Sequence, residues 1–189
     1  MLRSIISILF VFFTLNISSV VFAEEVAETA RAPHESMKKI RGMLGEWTAI
    51  TEMITQEGDW IEQKTDHVAI KSELDGLLFA EQHLARISGE GFYITTDLSY
   101  DQYRETYRVS AIGNGWGIMD IYEGQLDNGI LDLNNIRAGT SFPLEDGREM
   151  FFRLLIPVDG DRRVMDIDMS LDEGETWSPF YRVTYERIG

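Results

Sequence analysis

Residues 44–56 read LGEWTAITEMITQ, and within them the sequence pattern changes from helix to strand. Before this stretch, apolar residues recur at the 3.6-residue spacing of an amphipathic helix: Met37, Ile40, Met43 and Leu44. We therefore predict a short helix over residues 33–44, which Gly45 ends. Beyond Gly45 the chain is rich in β-branched and aromatic residues, so it is expected to enter a sheet at Trp47.

Ten segments of strand character follow, each bounded by turn residues. They cover residues 46–56, 60–70, 77–87, 92–99, 103–112, 116–125, 130–137, 148–158, 163–171 and 176–187. Breaks such as Asp75-Gly76 and Asp146-Gly147 favour tight hairpins, because these residues accept positive φ. No gap is long enough for the crossover helix that parallel strands require. The sequence therefore predicts an antiparallel meander.

Closure into a barrel is the architecture that this meander favours. A closed barrel leaves no edge strand exposed to aggregation. A two-sheet sandwich is the alternative, but it usually needs longer crossing connections than this sequence offers. We therefore predict an all-β, roughly ten-stranded antiparallel barrel with a short N-terminal helix, formed by a single domain over residues 33–189.

The tripeptide Gly45-Glu46-Trp47 stands where the barrel would begin. Gly45 lets the chain turn in tightly, and Trp47 can plug one end with a large apolar ring. Since the first and last strands adjoin on closure, we expect Arg187 or Arg182 to lie over the indole, a contact worth about 0.5–2 kcal/mol. The role expected for Gly45, Trp47 and Arg187 is mainly structural.

Residues 1–23 have the pattern of a secretory signal peptide. Arg3 supplies a positive start, the apolar run from Ile5 to Phe13 follows, and Val21-Phe22-Ala23 fits a cleavage site. Residues 24–32 are expected to form a flexible leader. An uncleaved anchor is the alternative, because the apolar run nearly reaches the ~20 residues that span a bilayer. We expect a periplasmic or secreted protein without membrane contact after cleavage, and its oligomeric state is left open.

The charge balance and the lack of cysteine exclude several functions. The chain has 17 basic and 32 acidic residues, giving a net charge of −15. Such a field repels phosphate backbones, so we expect no nucleic-acid partner. There are no cysteines, which excludes disulfides, thiol catalysis and thiolate metal sites.

Residues 170–177, SLDEGETW, match the pattern S-x-D-x-G-x-T-W. The stretch resembles the Asp boxes of sialidases and related proteins, which lie away from the catalytic site. Asp172 can accept backbone hydrogen bonds within the turn, Gly174 supplies an unusual backbone geometry, and Trp177 can pack beneath. We predict a structural hairpin between the last two strands, with sugar binding as the lesser alternative.

The two histidines His67 and His83 flank the predicted Asp75-Gly76 hairpin. A two-residue turn would place them on opposite faces of the sheet, whereas a three-residue turn would bring them together. Together with Asp66 or Glu81 they could then hold a metal. Surface histidines are the default, and we predict no metal site.

Another acidic pair, Asp166 and Asp168, shares one strand face, opposite a row of apolar residues: Met165, Ile167 and Met169. We expect the acids on the solvated outer face and the methionines inside. The reverse arrangement would place two acids in a cavity for acid–base chemistry. No catalytic residue is assigned.

The chain resembles a bacterial lipocalin-like domain family of unknown function, within the wider calycin group. The residues that carry the resemblance span 37–189: Leu44-Gly45-Glu46-Trp47, Ser99-Tyr100-Asp101, Tyr107, Arg108, Glu123-Gly124, Leu131, Leu133, Ser170 to Trp177 and Tyr185-Glu186-Arg187. The resemblance implies a calycin-type barrel and supplies no catalytic residues. The architecture also looks similar to haem-binding nitrobindins, whose haem is held by a late histidine. The last histidine here is His83, so we expect no cofactor.

A barrel of this size has room for a small ligand if side chains do not fill it. The candidate ligand-binding residues are aromatic and basic: Trp47, Tyr107, Arg108, Tyr122, Phe152, Arg153 and Tyr181. We predict an exported protein that binds or carries a small, partly apolar molecule. The alternatives are an enzyme acting in the cavity and a solid barrel that binds a protein partner.

Overall fold

The computed structural model describes residues 31–89, 93–114 and 117–189. A short helix, α1 (Arg31–Lys38), and a 3-10 turn (Arg41–Met43) precede the strands. The strands are β1 Gly45–Ile54, β2 Trp60–Glu73, β3 Leu78–Gly89, β4 Ile94–Asp101, β5 Thr106–Gly113, β6 Met119–Asp127, β7 Ile130–Asn134, β8 Phe142–Pro143, β9 Glu149–Pro157, β10 Arg162–Ser170 and β11 Ser178–Arg187. The predicted signal peptide and most of the predicted leader lie outside the described residues. Among the described residues, no helix is long and apolar enough to span a membrane.

Ten of these strands form a closed antiparallel barrel. Consecutive strands pair from β1 to β7, the order continues through β9, β10 and β11, and β11 returns to β1. The closing pair runs in unbroken register from Trp47 opposite Arg187 to Met53 opposite Tyr181. The predicted meander and its closure are confirmed, and the sandwich alternative is not what the chain forms.

The eleventh strand, β8, lies outside the barrel and is not anticipated by the sequence pattern. It has two residues, Phe142 and Pro143, which pair with Met150 and Glu149 at the start of β9. Two residues are too few to show a strand period, and proline lacks the N–H that would extend the ladder. Two of the predicted strands begin at residues 92 and 116, and these two residues lie outside the described part of the chain.

The N-terminal helix ends earlier than the pattern over residues 33–44 predicts. Ile40 and Met43 are buried as expected, but they follow α1 in a turn and a separate 3-10 segment. Gly42 in this segment lies against the chain that leaves β9, where a Cβ would come within 2.5 Å of the Val158 carbonyl oxygen. The Tyr107 hydroxyl donates to the Ser36 carbonyl at 2.8 Å and holds α1 over one end of the barrel.

Trp47 closes that same end of the barrel and is 0% exposed. Its Nε1 donates to the Met43 carbonyl at 3.1 Å. The Arg187 guanidinium lies 4.0 Å from the indole and donates to the carbonyls of Gly42 and Leu44, each at 3.0 Å. Arg187 is therefore the late arginine that the sequence pattern expects over Trp47. Arg182, the other candidate, lies over Trp60 instead, at 4.3 Å.

The hairpin between β10 and β11 is tied by the side chains of the Asp-box-like stretch. Asp172 Oδ1 accepts hydrogen bonds from Ser170 Oγ at 2.6 Å and from the Thr176 N–H at 2.9 Å. These bonds, together with the one from the Thr176 hydroxyl, lower the pKa of Asp172 to about 2. Gly174 has φ +87°, and Trp177 packs against it. The geometry is that of a structural turn.

Candidate ligand cavity

The inward faces of the barrel strands enclose a cavity of about 650 Å³. Most of its wall is apolar and comes from strands all round the barrel: Val68, Phe79, Leu98, Val109, Leu154 and Val183. Trp47 and α1 lie at the closed end. At the other end Met53 and Gln63 both line the cavity and are exposed, so the cavity opens there. Its volume falls within the range typical of small-molecule sites.

A buried cation, Arg163 on β10, lines the closed end of this cavity and is 3% exposed. Its guanidinium contacts two nearly perpendicular rings, 4.4 Å from the centre of Trp47 and 4.7 Å from that of Tyr185. Nη2 donates to the Met43 carbonyl at 3.4 Å, whereas Nε and Nη1 have no hydrogen-bond partner among the described residues. Burial lowers the pKa of Arg163, since the charged form loses its hydration.

Beside Arg163, Tyr185 and Glu81 form a hydrogen-bonded pair on the cavity wall. The Tyr185 hydroxyl donates to Glu81 Oε2 at 3.0 Å. Burial raises the pKa of the Glu81 carboxyl, and the hydrogen bond from Tyr185 and the charges of His83, Arg163 and Lys64 only partly offset it. The Tyr185 pKa is raised well above its ordinary value, mainly by burial. This corner of the cavity therefore combines a cation with a carboxyl group that resists ionisation.

A second polar group on the wall is centred on Asp66, which is 2% exposed. Asp66 Oδ2 lies 3.1 Å from Lys64 Nζ and 3.8 Å from His83 Nδ1, while Oδ1 has no hydrogen-bond partner among the described residues. His83 Nε2 lies 2.7 Å from the Ile94 carbonyl, so this nitrogen carries a proton and donates it. Asp66, Lys64 and His83 form a polar patch within an apolar wall.

Across the barrel, Asp120 belongs to a hydrogen-bonded network that joins the strands to the loop after β7. Asn135 Nδ2 donates to both carboxylate oxygens of Asp120 at 3.2 Å, and Thr140 Oγ1 donates to Oδ1. Asn135 Oδ1 in turn accepts from the Phe152 N–H at 2.8 Å. Since Asp120 already accepts three hydrogen bonds, we assign it a structural role.

The seven predicted ligand-binding residues separate into three groups by position. Tyr122, Phe152 and Tyr181 line the cavity. Burial raises the pKa of Tyr122, and it raises that of Tyr181 to about 12, so both hydroxyls stay protonated as potential donors. Trp47 and Tyr107 close the barrel beneath α1 and are outside the lining set. That Tyr122, Phe152 and Tyr181 contact a ligand stays a prediction.

The two predicted arginines, Arg108 and Arg153, lie on the outer face of the barrel instead of its wall. Arg108 Nη2 pairs with Glu123 at 2.8 Å, and Arg153 Nε donates to Asp132 at 2.7 Å. Strand alternation explains both positions, because Val109 and Leu154, their neighbours in sequence, face inward. Asp166 is exposed in the same way, while Met165 lines the cavity.

Arg163 and Lys64 are not among the residues singled out from the sequence, and Asp66, Glu81 and His83 are considered there only as a possible metal set. Strand alternation places two of these five wall residues on the inner face. Arg163 is two residues before Met165, which is already predicted to face inward, and Glu81 is two residues after Phe79. The register between β2 and β3 explains where the two histidines lie. His83 pairs with Val68 and faces the cavity, whereas His67 pairs with Ala85 and does not line it. Within residues 31–89, 93–114 and 117–189, no cluster of three metal-ligating side chains is present.

These features define the class of the protein as a closed ten-stranded antiparallel β-barrel with an internal, mainly apolar cavity. The chain belongs to the family described as Protein of unknown function (DUF1579), whose model matches residues 29–187. The fold is consistent with a calycin-like domain. No curated protein matches the chain.

Proposed function

We propose that this protein is an exported, lipocalin-like binding or carrier protein that holds a small, partly apolar molecule inside the barrel. The observation that carries the proposal is the cavity of about 650 Å³ with an apolar wall and a few convergent polar groups. Sites of this size and polarity typically bury most of a small ligand's surface. The cavity also argues against the solid-barrel interaction module.

Retention of a ligand is the direct test. Protein purified without denaturation from its native compartment should yield a bound small molecule in native mass spectrometry. The same protein should bind an apolar fluorescent dye whose emission rises in a dry environment. A protein that carries nothing and binds neither the dye nor any member of a lipid and metabolite screen would overturn the proposal.

A matched pair of substitutions locates the dye. Ala111 lines the cavity, and Ala85 is exposed on β3 and is not part of the wall. Ala111→Trp places an indole in the ligand space and should weaken dye binding by at least about tenfold, or roughly 1.4 kcal/mol. Ala85→Trp adds the same ring outside and should leave the affinity unchanged. Equal effects of the two variants would place the dye elsewhere.

Export rests on the signal-peptide pattern of residues 1–23. The mass of the mature protein tests it, because cleavage after Ala23 gives a chain that begins at Glu24. Full-length protein in the cytoplasmic fraction would contradict export without affecting the binding proposal.

An enzyme is the second candidate, and the Asp66–His83 contact favours it. Both side chains line the cavity, with 3.8 Å between Oδ2 and Nδ1. A histidine beside a carboxylate is a pairing that general acid–base catalysis uses. Turnover of a ligand recovered by mass spectrometry, lost in His83→Gln while the ligand still binds, would favour the enzyme over the carrier.

A further inference from the structure

The strongest unexplained feature of the cavity is Arg163. Its side chain is almost fully buried at the closed end, yet Nε and Nη1 have no hydrogen-bond partner among the described residues. A buried polar group without a partner costs about 1–3 kcal/mol, and a charged group costs more. Cation–π contacts with the nearly perpendicular rings of Trp47 and Tyr185 stabilise the charge, but they supply no hydrogen-bond acceptor to Nε and Nη1.

The neighbouring Arg187 shows how the same residue type is satisfied when its role is structural. Arg187 also lies over the ring of Trp47, but its Nε donates to Asp161 at 2.8 Å, and Nη1 and Nη2 each donate to a backbone carbonyl. Closure of this end of the barrel is therefore accounted for by Arg187. Arg163 lines the ligand space, and its buried Nε and Nη1 lack a hydrogen-bond partner among the described residues.

The charges around Arg163 do not neutralise it directly. Asp66 is paired with Lys64, and Glu81 accepts a hydrogen bond from Tyr185. Glu81 interacts with Arg163 electrostatically, but no ion pair joins Arg163 to a carboxylate of the described residues. Arg163 lines the closed end of the apolar cavity, whereas Arg187 does not, and one cation lining this end matches a single negative charge on an apolar body. A doubly charged group such as a phosphate would place a second negative charge against the apolar wall, where an unpaired charge is costly to bury.

We propose that the ligand of this cavity is an amphiphilic monocarboxylate, whose carboxylate accepts a hydrogen bond from the Arg163 guanidinium at the closed end. The apolar body then extends along the Val109 and Leu154 walls towards the open end. A planar carboxylate suits the planar guanidinium, and charge-assisted bonds of this kind are about twice as strong as neutral ones. This inference rests on the proposed function and adds the chemical class of the ligand.

Paired amphiphiles separate the two proposals. Dodecanoate and dodecan-1-ol share one apolar chain and differ at the head group, so calorimetric titration of each into the wild-type protein isolates the carboxylate. We expect dodecanoate to bind at least about tenfold more tightly. Equal affinities would overturn the carboxylate proposal and leave the binding function standing. If neither dodecanoate nor dodecan-1-ol binds while the apolar dye does, the carboxylate proposal is likewise overturned and the binding function stands. If none of the three ligands binds, the proposed binding function is overturned as well.

Two arginine variants then place the head group. Arg163→Met keeps an unbranched apolar stem and removes the guanidinium, and it should remove the preference for dodecanoate while dodecan-1-ol binds as before. Arg153→Met is the matched control, because Arg153 lies on the outer face in an ion pair with Asp132. It should leave both affinities unchanged. A preference that survives in Arg163→Met, or disappears in Arg153→Met, would overturn the assignment.

A measurement on the wild-type protein keeps the proposal testable if Arg163→Met does not fold. Dodecanoate labelled with ¹³C at its carboxyl carbon reports its own ionisation through its NMR chemical shift. Bound beside an unpaired guanidinium, the carboxylate should stay ionised to a lower pH than it does free in solution. A bound carboxyl that titrates at the same pH as free dodecanoate, or at a higher pH, would exclude contact with Arg163.

Discussion

At the scale of single residues, the cavity holds two acids in contrasting environments. Asp66 lies beside the ammonium group of Lys64, whereas the Glu81 carboxyl accepts a hydrogen bond from Tyr185 and has no ion pair with any of the described residues. Burial without an ion pair raises the pKa of Glu81 above its ordinary value of 4.5. A wall carboxyl that favours its neutral form leaves Arg163 less compensated, which is the condition for a binding site for an anion.

The raised pKa of Glu81 makes stability depend on pH in a defined direction. Below pH 4.5 the carboxyl is protonated in both the folded and the unfolded chain, so Glu81 does not lower the free energy of unfolding there. As pH rises towards the higher folded pKa, the unfolded chain loses its proton first, so the free energy of unfolding falls. Glu81→Gln removes this loss, because its amide oxygen still accepts from Tyr185 and does not titrate. Urea unfolding at a series of pH values should show the variant matching the wild type at low pH and exceeding it near pH 7.

Glu149→Gln serves as the reference for the loss of one negative charge, since Glu149 is exposed at the start of β9. A stability gain in Glu81→Gln that is the same at every pH, or that the Glu149 variant reproduces, would contradict the role given to burial.

At the scale of strands and turns, the sequence predicts the order of the barrel and says less about its interior. Gly-containing turns set the strand limits, and the closing pair follows from Trp47 and a late arginine. The inner face of β9 is not predictable, because residues 150–156 are mostly apolar on both faces. Arg153 is therefore assigned to the cavity, although Leu154 holds that position. Bulges between residues 65 and 66 and between 67 and 68 in β2 also change which side chains face inward, and no sequence pattern reveals them.

The hairpin between β10 and β11 gives a prediction at this scale. Gly174 and Gly147 have nearly the same positive φ, +87° and +85°, but a Cβ at Gly174 would lie 2.5 Å from Ile136 Cδ1, whereas nothing lies within 4 Å at Gly147. Gly147→Ala should cost about 1–2 kcal/mol for backbone strain alone. Gly174→Ala should cost roughly 1–3 kcal/mol more, because it also overpacks the turn against Ile136. Chemical denaturation of both variants measures the difference, and equal losses would show that the contact with Ile136 does not constrain the turn.

At the scale of the whole molecule, the cavity exists only because the sheet closes. Closure depends on β1, which is hydrogen-bonded to both its sequence neighbour β2 and the last strand β11. The closed barrel then has one open end and one end that Trp47 blocks. At the closed end, Arg163 and Arg187 both lie over Trp47 beneath α1. The proposed site for the ligand's carboxylate, at Arg163, is therefore adjacent to the residues that close the barrel. Ligand recognition at this end is therefore coupled to closure, and loss of the β1–β11 pairing would remove both.

Closure can be tested by a covalent link, which the cysteine-free chain makes simple to interpret. Thr48 on β1 is opposite Glu186 on β11, and partners across an antiparallel pair are within disulfide range. In the variant Thr48→Cys with Glu186→Cys, mild oxidation should remove the free thiols by forming a disulfide within one chain and not between two chains. The link closes a loop of nearly the whole described chain, so the oxidised form should be more stable than the reduced form by roughly 3–5 kcal/mol. Thr48→Cys with Glu123→Cys is the control, since β6 is not a sheet neighbour of β1 and its thiols should stay free. Because an open sheet would hold β1 and β11 at opposite edges, free thiols in the first pair would mean that there is no enclosed cavity for a ligand.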